Sequence, residues 1–160
     1  MVPSARMRIP LPLVGGCACS ALRYEVTTLP LMLYVCHCTE CRRQSTAAFG
    51  MSMPVAKDGF RMTRGEPAFW ERTADSGRTV KAAFCASCGT RVFHSPARNQ
   101  NNVNVKPGTL DDTTWVQPVA HVWTLSKLPW VVIPDGVLQF ERQPSDFALI
   151  HEAWVALIQT

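Results

Sequence analysis

A chain of 160 residues and 17.8 kDa is the size of one domain, and 47% hydrophobic with 18% charged residues gives a core and too little charge for disorder. The net charge of +4 comes from 16 basic and 12 acidic residues with no dense basic block, which argues against a dedicated nucleic-acid binder and suits a small anionic ligand. No apolar run approaches the ~20 residues of a membrane span, and the short apolar stretch after Arg6 and Arg8 is broken by Pro10 and Pro12, so no signal peptide is expected and the chain reads as cytoplasmic.

Short β-like runs dominate. Leu22, Tyr24 and Val26 alternate with polar residues, and Leu31 to Val35 is a buried-type run. Thr39 to Ala48 is expected to form a short helix with Thr39 as N-cap and Glu40 and Arg43 in its first turn. Further strands are expected at Met51 to Met53, Phe69 to Glu71, Val80 to Phe84, Arg91 to His94 and Val103 to Val105. Lys57-Asp58-Gly59, Ser76-Gly77 and Pro107-Gly108 separate them as turns. The polar stretch 96–104 reads as a surface loop. At the end, Ser145 can cap a helix whose apolar residues recur at Phe147, Ile150, Trp154 and Leu157. Roughly 15 residues of helix are marginal alone, so it must pack, on its own core rather than on a second copy in a homodimer. The division expected is a segment 1–14, a domain 15–143 and a C-terminal helix 144–160.

The seven cysteines carry the chemistry. Cys17 and Cys19 form CxC. Cys36, Cys38 and Cys41 form CHCTEC, and Cys85 and Cys88 form CASCG. An odd count in close groups, with no signal peptide, speaks against a disulfide framework. Random core filling would not group all of them, and a redox CxxC would need one motif rather than three clusters. They read as metal-binding thiolates. Cys36, Cys38 and Cys41 lie close enough to share one metal. The remaining two pairs each fall short of a tetrahedral site and together fill one. The economical partition is a closed four-cysteine site of structural type and an open three-cysteine site of catalytic type. All-thiolate ligation favours zinc, with iron as the chief alternative. The four-cysteine site draws on distant segments, so metal binding and folding should be coupled.

Local residues support this partition. Gly89 follows CASC and can take a positive φ, and Gly15-Gly16 lets the chain bend into Cys17. In an extended chain Cys36 and Cys38 share a face and His37 points the other way, so His37 reads as a core or hydrogen-bonding residue. His94 and His121 are open between a structural role and a place near the open site.

The motifs GGCACS, VCHCTECRRQS, AAFCASCGTRVF, VNVKPGTLDD and HVW, with Trp130-Val131, occur in the order of a known family. The chain resembles the glutathione-dependent formaldehyde-activating enzymes, or S-hydroxymethylglutathione synthases, whose zinc domain is shared with centromere protein V. The resemblance implies an all-β fold of mainly antiparallel, tent-like sheets, with short helices and a C-terminal helix expected from the periodicity above. It implies a structural zinc on Cys17, Cys19, Cys85 and Cys88 and a catalytic zinc on Cys36, Cys38 and Cys41. It also implies carbon–sulfur lyase-type chemistry, with glutathione and formaldehyde as substrates. Ser20 and Thr46 stand where the family usually has glycine, and Thr46 is expected to alter the substrate pocket.

For glutathione, zinc at the open position would deprotonate the thiol, since a free thiol near pKa ~8.5 is mostly protonated at neutral pH. Three cysteine thiolates already outweigh the metal charge, so thiol activation is expected rather than carbonyl polarisation. Arg42 and Arg43 are the nearest cations for glutathione's carboxylates; the other reading is a solvated helix face. Asp111 and Asp112 read as turn-capping residues rather than an acid/base pair. The alternative function is a zinc-stabilised binding module, which a fourth protein ligand such as His94 or His121 closing the second site would favour. A third reading is an enzyme acting on another small thiol or electrophile.

Overall fold

The computed structural model describes residues 6–74, 77–96 and 98–158. Ser76 of the expected turn, and residue 97 of the expected polar loop, lie outside the described residues. The architecture is mostly β-sheet with two α-helices. Leu13–Gly16 (β1), Arg23–Val26 (β2) and Phe60–Arg64 (β5) make a three-stranded sheet in the order β1-β2-β5. Tyr34–Cys36 (β3), Gly50–Ala56 (β4), Ala68–Thr73 (β6), Thr79–Phe84 (β7), Arg91–Ser95 (β8), Asn102–Val105 (β9), Ala120–Val122 (β10) and Leu138–Phe140 (β11) make the second. Its order is β11-β10-β3-β4-β9-β8-β7-β6. Both sheets are antiparallel except at one edge, where β10 runs parallel to β3 and to β11.

The alternation read from the sequence is the reason for the core. Tyr24 and Val26 of β2, Met53 and Val55 of β4, Val92 of β8, and Val103 and Val105 of β9 meet in one cluster, the set of side chains that period-2 strands turn inward. Gly15 and Gly16 do not make a bend. They belong to strand β1 and permit close approach. A Cβ on Gly16 would stand 2.2 Å from the Leu22 carbonyl oxygen, well inside contact distance. The expected loop at 96–104 gives up its end to β9, because Asn104 is buried and its amide donates to His94 Nε2 at 3.1 Å.

Both helices form, with different caps from those expected. Helix α1 is Thr39–Ser45, and its N-cap is Cys38, whose sulfur accepts the Cys41 N–H at 3.3 Å. Arg43 falls in its last turn. The helix stops at Ser45 because Thr46 turns left-handed, at φ 51°. Helix α2 is Ala148–Leu157. Its N-cap is Phe147 rather than Ser145, with no side-chain cap bond, and Asp146 just before it accepts the Ala148 N–H at 2.9 Å. Phe147 packs against Tyr34, with ring centroids 5.5 Å apart. Ile150 and Trp154 are fully buried, so α2 packs on the chain's own core.

Ser20 and Thr46, the two positions that depart from the usual glycine, both sit in the left-handed region, at φ 62° and 51°. A side chain there clashes with its own carbonyl, and glycine does not. Thr46→Gly is expected to raise unfolding stability by about 0.5–1 kcal/mol in denaturant titrations, while Thr46→Ala does not. Equal stability of the two variants would show that the backbone at Thr46 is unstrained.

Candidate metal centre

Strand ends place the first cluster. Cys17 follows β1 directly and Cys85 follows β7, so the two sheets bring distant segments together. The sulfurs of Cys17, Cys19, Cys85 and Cys88 all lie within 4.8 Å of one another. Cys17 and Cys19 sulfurs are 3.5 Å apart, and those of Cys19 and Cys85 are 3.7 Å apart. Sulfurs on a tetrahedron ~2.3 Å from a zinc ion stand about 3.8 Å apart, whereas a disulfide needs ~2.05 Å. The geometry fits a metal and excludes a disulfide.

Each pair sits on a tight turn. Cys85 N donates to Thr90 O at 2.9 Å and Gly89 N to Cys85 O at 2.8 Å, with Gly89 at φ 76°. On the other side Ser20 N donates to Cys17 O at 3.0 Å. The two turns also hold each other. The Thr90 hydroxyl accepts the Ala18 N–H at 3.2 Å and donates to the Cys88 sulfur at 3.2 Å. That hydroxyl, with the Thr90 backbone N–H, brings the Cys88 thiol down to about 5. Leu22 N–H is aimed at the Cys17 sulfur at 3.2 Å. These donors are what a thiolate ligand needs around it.

The second cluster is built where β3 runs into α1. The sulfurs of Cys36, Cys38 and Cys41 lie within 4.8 Å of one another. Hydrogen bonds from the Cys36 and Cys41 thiols bring Cys38 down to about 2. The same contacts, with burial, push Cys36 far up. Packed negative charges repel, so all three thiols ionise together only around a cation. The donor set therefore suits a soft divalent metal such as zinc. Among the described residues, no fourth histidine, cysteine or carboxylate joins this group.

The histidines are engaged elsewhere. His37 is fully buried and its Nε2 lies 2.8 Å from His121 Nδ1. Burial, then His121, lowers His37 to about 4. His94 is held neutral by burial and bonds Asn104. Asp111 makes a two-pronged ion pair with Arg23. Asp112 accepts the Thr114 N–H at 3.0 Å, which is a turn cap.

A cavity of about 490 Å³ lies between the two clusters. Cys41, Gln44 and Ser45 of α1 form one wall, and Gly89 and Thr90 after the Cys85–Cys88 pair, with Arg91 at the start of β8, form another. Lys106 lines it too, and so does Thr46. Arg42 and Arg43 do not. Residues three and four after Cys41 return to its helix face, whereas the next two are rotated away by about 100° and 200°. The cations of the cavity are thus Arg91 and Lys106, to which the sequence pattern alone assigns no role. Their signal was present: each adjoins a motif, Arg91 at the end of CASCGTR and Lys106 after VNV. The Gly108 to Asp112 stretch secures Lys106. Thr109 donates to the Lys106 carbonyl at 2.7 Å and bonds the Tyr24 hydroxyl at 2.8 Å.

No helix among the described residues is long and apolar enough to cross a membrane. The chain is similar in fold to the crystal structure of a Rhodobacter sphaeroides protein, with a TM-score of 0.50, 21% identity, and coverage of 79% of this chain and 98% of that one. The sequence pattern of the glutathione-dependent formaldehyde-activating enzymes matches residues 12–126, a span that holds both cysteine clusters and the cavity between them. With that match over most of its length, the chain belongs to the glutathione-dependent formaldehyde-activating enzyme family.

Proposed function

We propose that the protein adds a small thiol, glutathione in the family's reaction, to formaldehyde or a related small electrophile. The observation that carries this reading is a three-sulfur cluster without a fourth protein donor among the described residues, one of whose cysteines, Cys41, lines a cationic cavity. A zinc ion held by Cys36, Cys38 and Cys41 would supply an exchangeable position at which an incoming thiol gives up its proton. The chain's residues do the rest. Three anionic sulfurs make the centre electron-rich, which suits holding a nucleophile rather than polarising a carbonyl. Phe49 and Met51 line the cavity and exclude water from the reacting carbon. The substrate sulfur forms a bond to the formaldehyde carbon, the C=O π pair moves to oxygen, and that oxygen takes up the proton the thiol released. Cys17, Cys19, Cys85 and Cys88 would hold a second zinc with a structural role. His94 and His121 are occupied by other partners, so no observation favours the binding-module alternative.

Calorimetry at pH 7 in buffers of different ionisation heat tests this. Glutathione should bind the zinc-loaded protein with release of a proton, and S-methylglutathione, which cannot ionise at sulfur, should bind much more weakly and release none. Equal binding of the two would place recognition away from the metal. Absence of binding by either would remove the thiol site.

A further inference from the structure

Strand β6 is one end of the eight-stranded sheet, and among the described residues only β7 pairs with it. The other end, β11, has three residues, whereas β6 has six. The direction of its free backbone groups follows from the hairpin it makes with β7. Ala74 N donates to Arg78 O at 2.8 Å, and the register runs without a shift from Thr73 opposite Thr79 to Ala68 opposite Phe84. Hydrogen-bonded pairs alternate along an antiparallel ladder, so the N–H and C=O groups of Trp70 and Arg72 turn to β7. Those of Phe69, Glu71 and Thr73 turn away from it, and none of these three N–H groups meets an acceptor among the described residues.

An open edge of this kind is a template for another strand, and its side chains say which. Phe69 and Trp70 are 47% and 49% exposed, and as neighbours on a strand they lie on opposite faces of the sheet. A helix laid on the sheet would cover one of them, whereas a strand continuing the sheet past β6 brings neighbours to both. Charge selects a copy of the same strand. Two β6 strands related by a twofold axis perpendicular to the sheet run antiparallel with their faces matched. Centred on Trp70, this pairing sets Phe69 opposite Glu71 of the second copy and Ala68 opposite its Arg72. Lys81 Nζ is 3.7 Å from the Glu71 carboxylate and stands 4.4 Å over the Phe69 ring. Each Lys81 then lies between its own Glu71 and that of the second copy. Centred on Glu71 instead, two carboxylates would face each other, which is unfavourable. The Trp70 pair falls at a non-hydrogen-bonded position, where facing side chains come closest. Pro67 precedes β6 and has no N–H to offer, so the ladder ends there.

We infer that two copies of the chain pair through β6, antiparallel and centred on Trp70, and so join their two eight-stranded sheets into one. Phe69 and Glu71 of each copy exchange both backbone bonds with the other. The same edge is used on both sides, so the assembly closes at two chains and does not grow into a fibre. One strand pair is a small interface, and the dimer therefore forms with rising concentration. The inference is independent of the thiol chemistry proposed above, but it bears on the same region. Arg72, on the Trp70 face, reaches Glu40 of α1 at 3.8 Å, and α1 carries Cys41. A perpendicular twofold keeps faces matched, so both three-cysteine clusters stand on one side of the joined sheet.

Sedimentation of the zinc-loaded protein over a concentration series tests this, since the mass should rise from 17.8 kDa toward twice that value. Hydrogen exchange locates the contact without any variant. The Phe69 and Glu71 amides should exchange quickly in dilute protein and slow by roughly tenfold or more where the dimer dominates. Those of Trp70 and Arg72, already bonded to β7, should keep their dilute rates. Trp70→Thr leaves a good strand former at the edge and should weaken association by roughly tenfold, the weight of a buried aromatic pair. Glu71→Pro removes an N–H that the single chain does not use and should leave one-chain mass throughout. A constant mass of one chain at every concentration of the wild type overturns the inference and leaves the edge to a strand of another protein. A dimer in which the Phe69 and Glu71 amides stay fast, or which both variants form as readily as the wild type, overturns the assignment to β6.

Discussion

Cys88→Ser is expected to yield a chain that aggregates or lacks a cooperative melt, while Cys38→Ser stays folded and loses only the more labile metal. Cys88 is exposed, so the reason is not core packing. Its turn joins the β1–β2 turn through sulfurs 66 residues apart in sequence, as Cys19 and Cys85 are. A metal there closes a long loop, and structural zinc contributes ~10–16 kcal/mol to folding in zinc-finger peptides. Loss of one ligand removes most of that. Cys38 lies elsewhere. It is the N-cap of α1, and serine is among the best N-cap residues, so the helix survives its replacement. Zinc content by elemental analysis and thermal melts of both variants decide the matter. Both melting at the wild-type temperature would overturn the structural assignment, as would one tightly held metal or an iron charge-transfer spectrum in the wild type.

Trp154→Ala is expected to lower unfolding stability by about 3–5 kcal/mol, the range for deleting a buried aromatic. Trp154 has 0% exposure and sits in the main core. Its indole N–H donates to the Pro30 carbonyl at 2.8 Å, and one turn earlier His151 Nδ1 lies 2.7 Å from the Leu31 carbonyl. Those carbonyls precede β3, whose last residue is Cys36. The variant should therefore release metal from the three-cysteine cluster more readily as well as melt earlier. Trp154→Phe, which keeps a ring but loses the hydrogen bond and leaves the buried Pro30 carbonyl without its donor, should lose less, about 1–3 kcal/mol. Denaturant titration measures both. A loss within ~0.5 kcal/mol for Trp154→Ala, the range of an ordinary surface change, would mean that α2 is not a working part of the fold.

The cysteine partition was legible in the sequence because spacing groups each pair and the triad, and the four-ligand requirement of a closed site then joins the two pairs. A CxC or CxxC is long enough for two sulfurs to meet one ion, and three cysteines within six positions cannot be far apart. The strands at Tyr24, Val80 to Phe84 and Val103 to Val105 were legible for the same reason, since period-2 alternation is a local property. The core, hydrogen-bonding role of His37 followed from the opposite face it takes beside Cys36 and Cys38.

Other features needed the assembled sheets. Strand β10 has three residues and lies parallel between β3 and β11, a pairing fixed by long-range register that no local pattern encodes. The cap of α1 passed from Thr39 to Cys38 because a thiol already placed by the cluster was in position to accept the Cys41 N–H. Most consequential are the cavity's cations. Arg42 and Arg43 are nearest to Cys41 along the chain, but a helix turns consecutive residues away from one another. Arg91 opens β8 directly after a turn held by the other cluster, and Lys106 follows β9. Sequence adjacency is a distance along the backbone, whereas a pocket is a distance through space, and only the packing of the sheets converts one into the other.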